Sequence, residues 1–125
     1  MLAAVALACL SHTAFAYDSE SARAYFAQEL AVCGAWYTLV AEAPGVDEID
    51  RIRFRAAGIS LVSTAADLTS ERWALDQMEL ATTTMRREMR DSWNNFRVVD
   101  KKYGQRCWGV ATNPVARRKY WFDKH

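Results

Sequence analysis

Histidine and cysteine, which catalytic and metal sites use often, are rare in this sequence. Among its 125 residues there are two histidines, His12 and His125, and three cysteines. The chain also contains no HExxH, no GxSxG and no glycine-rich phosphate-binding motif. Because neither histidine is placed to act as a general base or to activate a thiol, we expect no enzyme activity, no metal and no cofactor.

Proline and glycine are also scarce, with two prolines and five glycines in the whole chain. A β sandwich needs many turns, so this scarcity favours a few long helices. The composition, 51% hydrophobic and 25% charged, is that of a globular protein and argues against disorder. The length suits one small domain and not two.

The chain opens with an apolar leader. Residues 2–10 form an unbroken apolar run, and residues 14–16 form the small-x-small pattern that signal peptidase accepts. The run is shorter than the roughly 20 apolar residues of a membrane-spanning helix, and charges interrupt every later window. We therefore predict that residues 1–16 are a signal peptide cleaved after Ala16, and that residues 17–125 form a single helical domain in the periplasm or outside the cell.

Export would leave two cysteines in the mature chain, because Cys9 leaves with the leader while Cys33 and Cys107 remain. In an oxidising compartment such a pair is expected to form a disulfide. A bridge of this span would stabilise the fold by roughly 4 kcal/mol on the chain-entropy model. A metal site would lack ligands, since His12 is also removed and His125 is the last residue.

The first predicted helix surrounds Cys33. Apolar residues recur there at steps of three and four, at Phe26, Leu30, Cys33, Tyr37 and Val40. This spacing predicts an amphipathic helix whose thiol faces the core. The helix is expected to begin near Asp18 or Ser19 and to end before Pro44. Gly34 in mid-helix costs about 1 kcal/mol relative to alanine, so we expect a close neighbour at that point.

The second predicted helix begins at Asp47 as its N-cap and carries Glu48 and Asp50 in its first turn. Its apolar residues form two sets, Ile49, Ile52, Ala56 and Ile59 on one face and Phe54, Ala57, Leu61 and Ala65 on another. Two apolar faces predict a helix between two neighbours. Arg51 and Arg55 are interpreted as a solvated face rather than a ligand clamp.

A third helix is predicted after a break at residues 67–70, extending from about Glu71 to Tyr103 with Gly104 as its stop. Its apolar residues recur at helical steps, at Met78, Ala81, Met85, Met89, Trp93 and Phe96. Three methionines on one face could form an adaptable peptide groove, but at this spacing we interpret them as core residues.

The end of the chain is predicted to hold a short fourth helix. Cys107 is expected to lie in the connection before it, with Asn113 as the cap, Pro114 at the first helical position and an end near Phe122. The predicted fold is therefore all-α, a small antiparallel bundle of three main helices plus a short C-terminal helix, closed by the Cys33–Cys107 disulfide.

Charge is distributed unevenly, although the whole chain carries only +1. Residues 17–50 contain seven acidic residues and one basic residue, and the rest of the chain contains fifteen basic and eight acidic residues. The first part therefore has a net charge of −6 and the second of +7. Whether this asymmetry survives in space depends on how the helices pack.

Basic and aromatic residues are mixed near the C-terminus, and the candidate contact residues for a partner or for the cell envelope are Arg117, Arg118, Lys119, Tyr120 and Trp121. Cations beside aromatic rings bind anionic lipid or polymer. Export makes nucleic acid a poor partner. The competing interpretation is that Trp108 and Trp121 pack inward while the cations stay solvated.

We consider three functions for such a protein. The first is non-catalytic protein binding in the bacterial periplasm, of the immunity, inhibitor or accessory type, with a protein partner. The second is peripheral attachment to anionic envelope lipid or polymer through the basic, aromatic C-terminus. The third, an enzyme, would need paired carboxylates, for which the sequence offers Glu48 with Asp50, Asp76 with Glu79, and Glu88 with Asp91.

Overall fold

A computed structural model describes the backbone of residues 10–124 and the side chains of residues 19–124. Within that part the protein is helical, with α1 at Leu10–Ala41, α2 at Glu48–Leu68, α3 at Glu71–Glu88, α4 at Phe96–Val99, α5 at Gln105–Thr112 and α6 at Pro114–Lys124. A 3₁₀ turn at Trp93–Asn95 precedes α4, and a π-helical turn at Asp100–Gly104 joins α4 to α5. The predicted all-α, disulfide-closed bundle is confirmed. Most of the predicted leader, residues 1–9, lies outside the described residues.

Helix α1 is the central element and contacts α2, α3, α5 and α6. Phe26, Leu30, Cys33 and Tyr37 are buried, as their spacing predicts. Burial is wider than one face, however, because all residues from 33 to 37 are buried. A helix that is apolar on every side is enclosed by its neighbours, and alanines on α1 let those neighbours approach closely.

The end of α1 is where the sequence places it, but its beginning is not. The helix stops at Ala41, ahead of Pro44, and Gly45 adopts a φ of +83° in the turn to α2. It begins at Leu10, so the predicted start near Asp18 or Ser19 is wrong. Since no glycine or proline interrupts this alanine-rich stretch, the helix continues through Asp18 and Ser19 instead of beginning at one of them.

Gly34 meets a second glycine where α1 crosses α2. A Cβ atom placed on Gly34 would lie 2.4 Å from Cγ2 of Val62 and 3.1 Å from the carbonyl oxygen of Gly58. A Cβ on Gly58 would lie 3.0 Å from the carbonyl oxygen of Gly34. The expected close neighbour of Gly34 is thus confirmed, and it is α2 rather than the disulfide that requires the missing side chain.

Helix α2 begins as predicted, because the side chain of Asp47 accepts a hydrogen bond of 2.9 Å from the backbone N–H of Asp50. Its core face, which carries Phe54, Ala57, Leu61 and Ala65, packs into the bundle. The opposite face does not, since the exposed fractions of Ile49, Ile52 and Ile59 are 65%, 58% and 70%. Helix α2 does have two neighbours, α1 and α3, as predicted, but in the described part of the chain neither of them covers the face that carries these isoleucines.

Helix α3 starts after the predicted break, with the Ser70 hydroxyl accepting a hydrogen bond from the backbone N–H of Trp73. It ends at Glu88, so the predicted continuation to Tyr103 is wrong. Arg90 and Asp91 have φ values of 53° and 52°, a left-handed pair that turns the chain. Such a turn usually carries glycine or asparagine, which is why the sequence gives no warning of it.

The methionines and aromatic residues after α2 still reach the core despite that turn. Met85 and Met89 are buried, and the ring of Phe96 stacks on Trp36 with centroids 5.5 Å apart. The core interpretation is confirmed for these two methionines, whereas Met78 is only half-buried. Hydrophobic spacing therefore predicted which residues are buried but not the path of the chain between them.

Gly104 does not end a helix, contrary to the prediction. The chain remains helical through it, because Gly104 closes the π-helical turn and a Cβ there would lie 2.5 Å from Oδ1 of Asp100. Cys107 consequently lies inside α5 rather than in a connection. It is fully buried and bonded to Cys33, with Cα atoms 5.1 Å apart. Asn113 caps α6 as predicted, accepting from the N–H of Ala116.

The glycine crossing makes a prediction that opposes helix propensity. Gly34→Ala should lower the free energy of unfolding by about 1–3 kcal/mol, because overpacking between α1 and α2 outweighs the roughly 1 kcal/mol gained in propensity. Gly109→Ala is the matched control, since a Cβ on Gly109 in α5 would meet no atom within 4 Å. That variant should be more stable by about 0.5–1 kcal/mol. Urea unfolding measures both. Equal or greater stability of Gly34→Ala would contradict the close crossing.

Candidate functional site

Two of the five candidate C-terminal residues are partly buried and hydrogen-bonded to a buried carboxylate. Glu29 of α1 has an exposed fraction of only 7%. Arg117 donates to it through both Nε and Nη2, the Nη2–Oε2 distance being 2.8 Å. The indole Nε1 of Trp121 donates to the same Oε2 at 3.1 Å. Arg117 and Trp121 therefore fasten α6 to α1.

Further contacts support this anchor. The rings of Tyr25 and Trp121 stack with centroids 5.5 Å apart. The hydrogen bond to Glu29 raises the pKa of the Arg117 guanidinium above its ordinary value, so the cation keeps its charge at any physiological pH. Bidentate arginine–carboxylate pairs of this kind combine a fixed geometry with hydrogen bonds that are stronger than those between neutral groups.

The other three candidate residues face solvent. Arg118, Lys119 and Tyr120 are exposed, with Lys119 paired to Asp123 one turn later in α6. Trp108 of α5 is also exposed, by 65%, so inward packing holds for Trp121 but not for Trp108. The basic, aromatic C-terminus is thus divided into an anchor and a solvent-facing remainder, for which envelope or partner contact stays a prediction.

Glu29 is a site residue that sequence reasoning missed, although its position carried a signal. It lies three residues after Phe26 and four before Cys33, on the face that the apolar spacing assigns to the core. A carboxylate at such a position is rarely buried unless it is paired. Its partner, 88 residues away in sequence, is visible only in the folded chain.

The charge asymmetry of the sequence is partly neutralised by packing. The acidic α1 region contributes Glu29 to Arg117 and Glu42 to Arg86 of α3. Both cations come from the basic part of the chain. The fold therefore pairs the two halves of opposite charge instead of separating them, as expected when oppositely charged helices pack.

An open groove lies between α2 and α3 and has a volume of about 790 Å³. It is lined by Thr38, Arg55, Gly58, Ile59, Val62, Ser63, Ala66, Asp67, Glu71, Leu75 and Met78. Ile59 is exposed along its rim, as is Leu75 by 44%. Ile52 and Ile49 continue the exposed apolar surface along α2. We call this surface, the groove with Ile49 and Ile52, the α2–α3 groove.

The apolar spacing in the sequence placed the isoleucines of this groove on a face of α2 that a neighbouring element covers. The spacing of Ile49, Ile52 and Ile59 is that of a buried face, and periodicity alone does not reveal whether another element covers it. In the described part of the chain none does. An exposed set of large aliphatic side chains beside a groove is the more informative observation, because contiguous apolar patches mark interaction sites.

Three of the six carboxylates considered for catalysis, Glu48, Asp50 and Glu88, have cationic or hydroxyl partners. Glu48 and Asp50 each lie 4.0 Å from an arginine of the next turn of α2. Oε1 of Glu88 accepts from Nζ of Lys102 at 2.9 Å and from the hydroxyl of Tyr103 at 3.0 Å. Burial raises the pKa of Tyr103, and the hydrogen bond with Glu88 raises the pKa of Lys102, so both groups hold their protons at neutral pH.

Within residues 19–124 no three His, Cys, Asp or Glu side chains come together as a metal site would require. No helix in the described chain has the length and hydropathy that crossing a membrane requires. Comparison with known protein families, with curated proteins and with solved structures finds no match to this chain.

The Glu29 anchor makes a stability prediction. Glu29→Gln should lower the free energy of unfolding by about 2 kcal/mol, because Arg117 loses its charged partner in a largely buried setting. Glu42→Gln is the matched control, since the Glu42–Arg86 pair is about half exposed on both sides and should change stability by less than about 1 kcal/mol. Urea unfolding compares them. Equal effects of the two substitutions would contradict a structural role for Glu29.

Proposed function

We propose that the protein is an exported, non-catalytic protein-binding module of the immunity, inhibitor or accessory type that binds its partner through the α2–α3 groove. The observation that carries this proposal is the exposure of Ile59 in the groove, together with that of Ile52 and Ile49 further along α2. Each isoleucine would contribute about 1.5–3 kcal/mol if a partner buried it fully. No residue of a catalytic site is needed for this role.

The build of the bundle suits recognition by a preformed surface. Helix α2 is held against α1 at the glycine crossing, and α1 is held to α5 by the disulfide. A surface on such a supported helix loses little conformational freedom on binding, which favours affinity. One wall of the groove, α2, is therefore held in place by a close helix crossing.

The described structure is compatible with removal of the predicted leader. Cleavage after Ala16 would shorten the start of α1, and the first buried side chain among those described is Ala22. The Cys33–Cys107 disulfide also agrees with an oxidising compartment. These observations are compatible with export, and the described fold would be retained if the leader were not removed.

Export has a direct test by mass spectrometry. Expressed with its leader in a Gram-negative host, the periplasmic protein should have the mass of residues 17–125. Alkylation in denaturant should add no groups before reduction and two after it, on Cys33 and Cys107, since Cys9 has left with the leader. Recovery of a chain that accepts three alkyl groups after reduction would contradict cleavage, and uptake before reduction would contradict the bridge.

The groove is tested by comparing two exposed apolar residues. Ile59→Glu places a charge in the groove, and Val115→Glu places one on α6, where Val115 is 78% exposed. Neither change should alter stability by more than about 0.5 kcal/mol, as is usual at exposed sites. Capture from periplasmic extract should yield one discrete partner, whose binding Ile59→Glu abolishes and Val115→Glu leaves unchanged. A photocrosslinking residue in place of Ile59 should attach to that same partner. A partner retained by Ile59→Glu would refute the groove as its site.

The alternative, binding to anionic envelope lipid or polymer, has one observation in its favour. The aromatic side chains of Trp108 and Tyr120 are exposed, as are the cations Arg118 and Lys119. Its variants should exclude Arg117, because changing that residue breaks the Glu29 anchor. If the partner binds in the groove, the double variant Arg118→Glu, Lys119→Glu should capture it as well as the unchanged protein does in the same assays. Loss of capture, together with loss of salt-sensitive binding to anionic liposomes, would favour the alternative.

A further inference from the structure

The part of the α2–α3 groove that lies between the two helices has an apolar middle and charged ends. Its middle is formed by Ile59 and Val62 of α2 and by Leu75 and Met78 of α3. Arg55 lies toward one end, and Asp67 with Glu71 lies at the other, next to the turn between the two helices. The chemistry of the groove is therefore directional.

The three charged side chains of the groove have no internal partners. None of the ion pairs among residues 19–124 includes Arg55, Asp67 or Glu71. Arg55 and Asp67 are twelve residues apart on α2. At 1.5 Å per residue this places them about 18 Å apart, too far to neutralise one another. All three charged side chains are exposed and thus available to an occupant.

The shape of the surface favours an extended occupant over a compact one. The apolar residues continue from the groove to Ile52 and Ile49, about 15 Å beyond Ile59 along α2 at 1.5 Å per residue. Two antiparallel helices side by side form a groove into which the side-chain ridge of a third helix packs. Apolar grooves of this kind bind amphipathic helices through residues at i, i+3, i+4 and i+7.

We propose that the occupant of the α2–α3 groove is an amphipathic α-helix of a partner protein, about four turns long, with acidic residues at its Arg55 end and basic residues at its Asp67–Glu71 end. This inference rests on the proposed function and specifies the partner. The apolar face of the bound helix covers Ile59 and Leu75. Its terminal charges meet Arg55 and Asp67, which sets the direction in which it lies.

Selection from a displayed library tests the helix and its polarity. Sixteen-residue helices with randomised surface positions are selected on the disulfide-bonded protein and counter-selected on Ile59→Glu. Enriched sequences should carry Asp or Glu at one end and Lys or Arg at the other. Selection on the triple variant Arg55→Glu, Asp67→Lys, Glu71→Lys should enrich the reverse order, because complementary charge determines orientation at an interface.

Affinity measurements on one selected peptide complete the test. Arg55→Glu should weaken its binding about fivefold or more by fluorescence anisotropy, and replacing the acidic end of the peptide with lysine should restore binding. Arg53→Glu is the matched control, an exposed arginine of α2 outside the groove, and should change affinity by less than about twofold.

The outcomes separate this inference from the proposed function. Helices that bind in an Ile59-dependent manner without charge order would overturn the inference on polarity while the groove remains a binding site. Crosslinking of a partner from position 59 with no selectable helix would show a different kind of occupant. If sedimentation shows a dimer of this chain that Ile59→Glu dissociates, the occupant is a second copy and the inference is wrong.

Discussion

The burial of the middle of α1, where every residue from 33 to 37 is buried, is the constraint on which the rest of the structure depends. Alanines and Gly34 let α2 and α3 approach, and each contact along α1 fixes another element. Gly34 meets α2 at Gly58, Cys33 is bonded to α5, and Glu29 holds α6 through Arg117. The buried middle of α1 is therefore not accessible to a ligand, and both proposed binding surfaces lie on other helices.

Ion pairs also connect the α1 region to later helices. The buried carboxylate Glu29 of α1 pairs with Arg117 of α6, because desolvation makes an unpaired buried charge costly, and the exposed Glu42 just after α1 pairs with Arg86 of α3. Arg55, Asp67 and Glu71 of the α2–α3 groove form no ion pair among the described residues, and Arg118 and Lys119 are exposed on α6. These two surfaces correspond to the two proposed binding functions. The groove is favoured because it joins unpaired charge to exposed aliphatic surface, whereas Arg117 and Trp121 of the C-terminal candidate set are engaged within the bundle.

Features that depend on a few neighbouring residues were predictable. Asp47 and Asn113 cap α2 and α6, and the break before α3 lies where the polar residues indicated it. The predictions of where helices end were wrong at two places, Gly104 and the turn at Arg90 and Asp91. Gly104 continues the helix because it packs closely against Asp100 and Trp36. Arg90 and Asp91 adopt left-handed backbone that their residue types do not announce.

By itself the sequence determined the helical class, the caps of α2 and α6, the apolar positions of α1 and the pairing of Cys33 with Cys107, because propensity, spacing and the number of cysteines are local or countable properties. Only the tertiary structure decided that Ile49, Ile52 and Ile59 are exposed while Glu29 is buried against Arg117. An apolar face and a lone carboxylate look the same in sequence whether or not another helix covers them. Burial is a property of what packs against a residue, and that partner can lie 88 positions away.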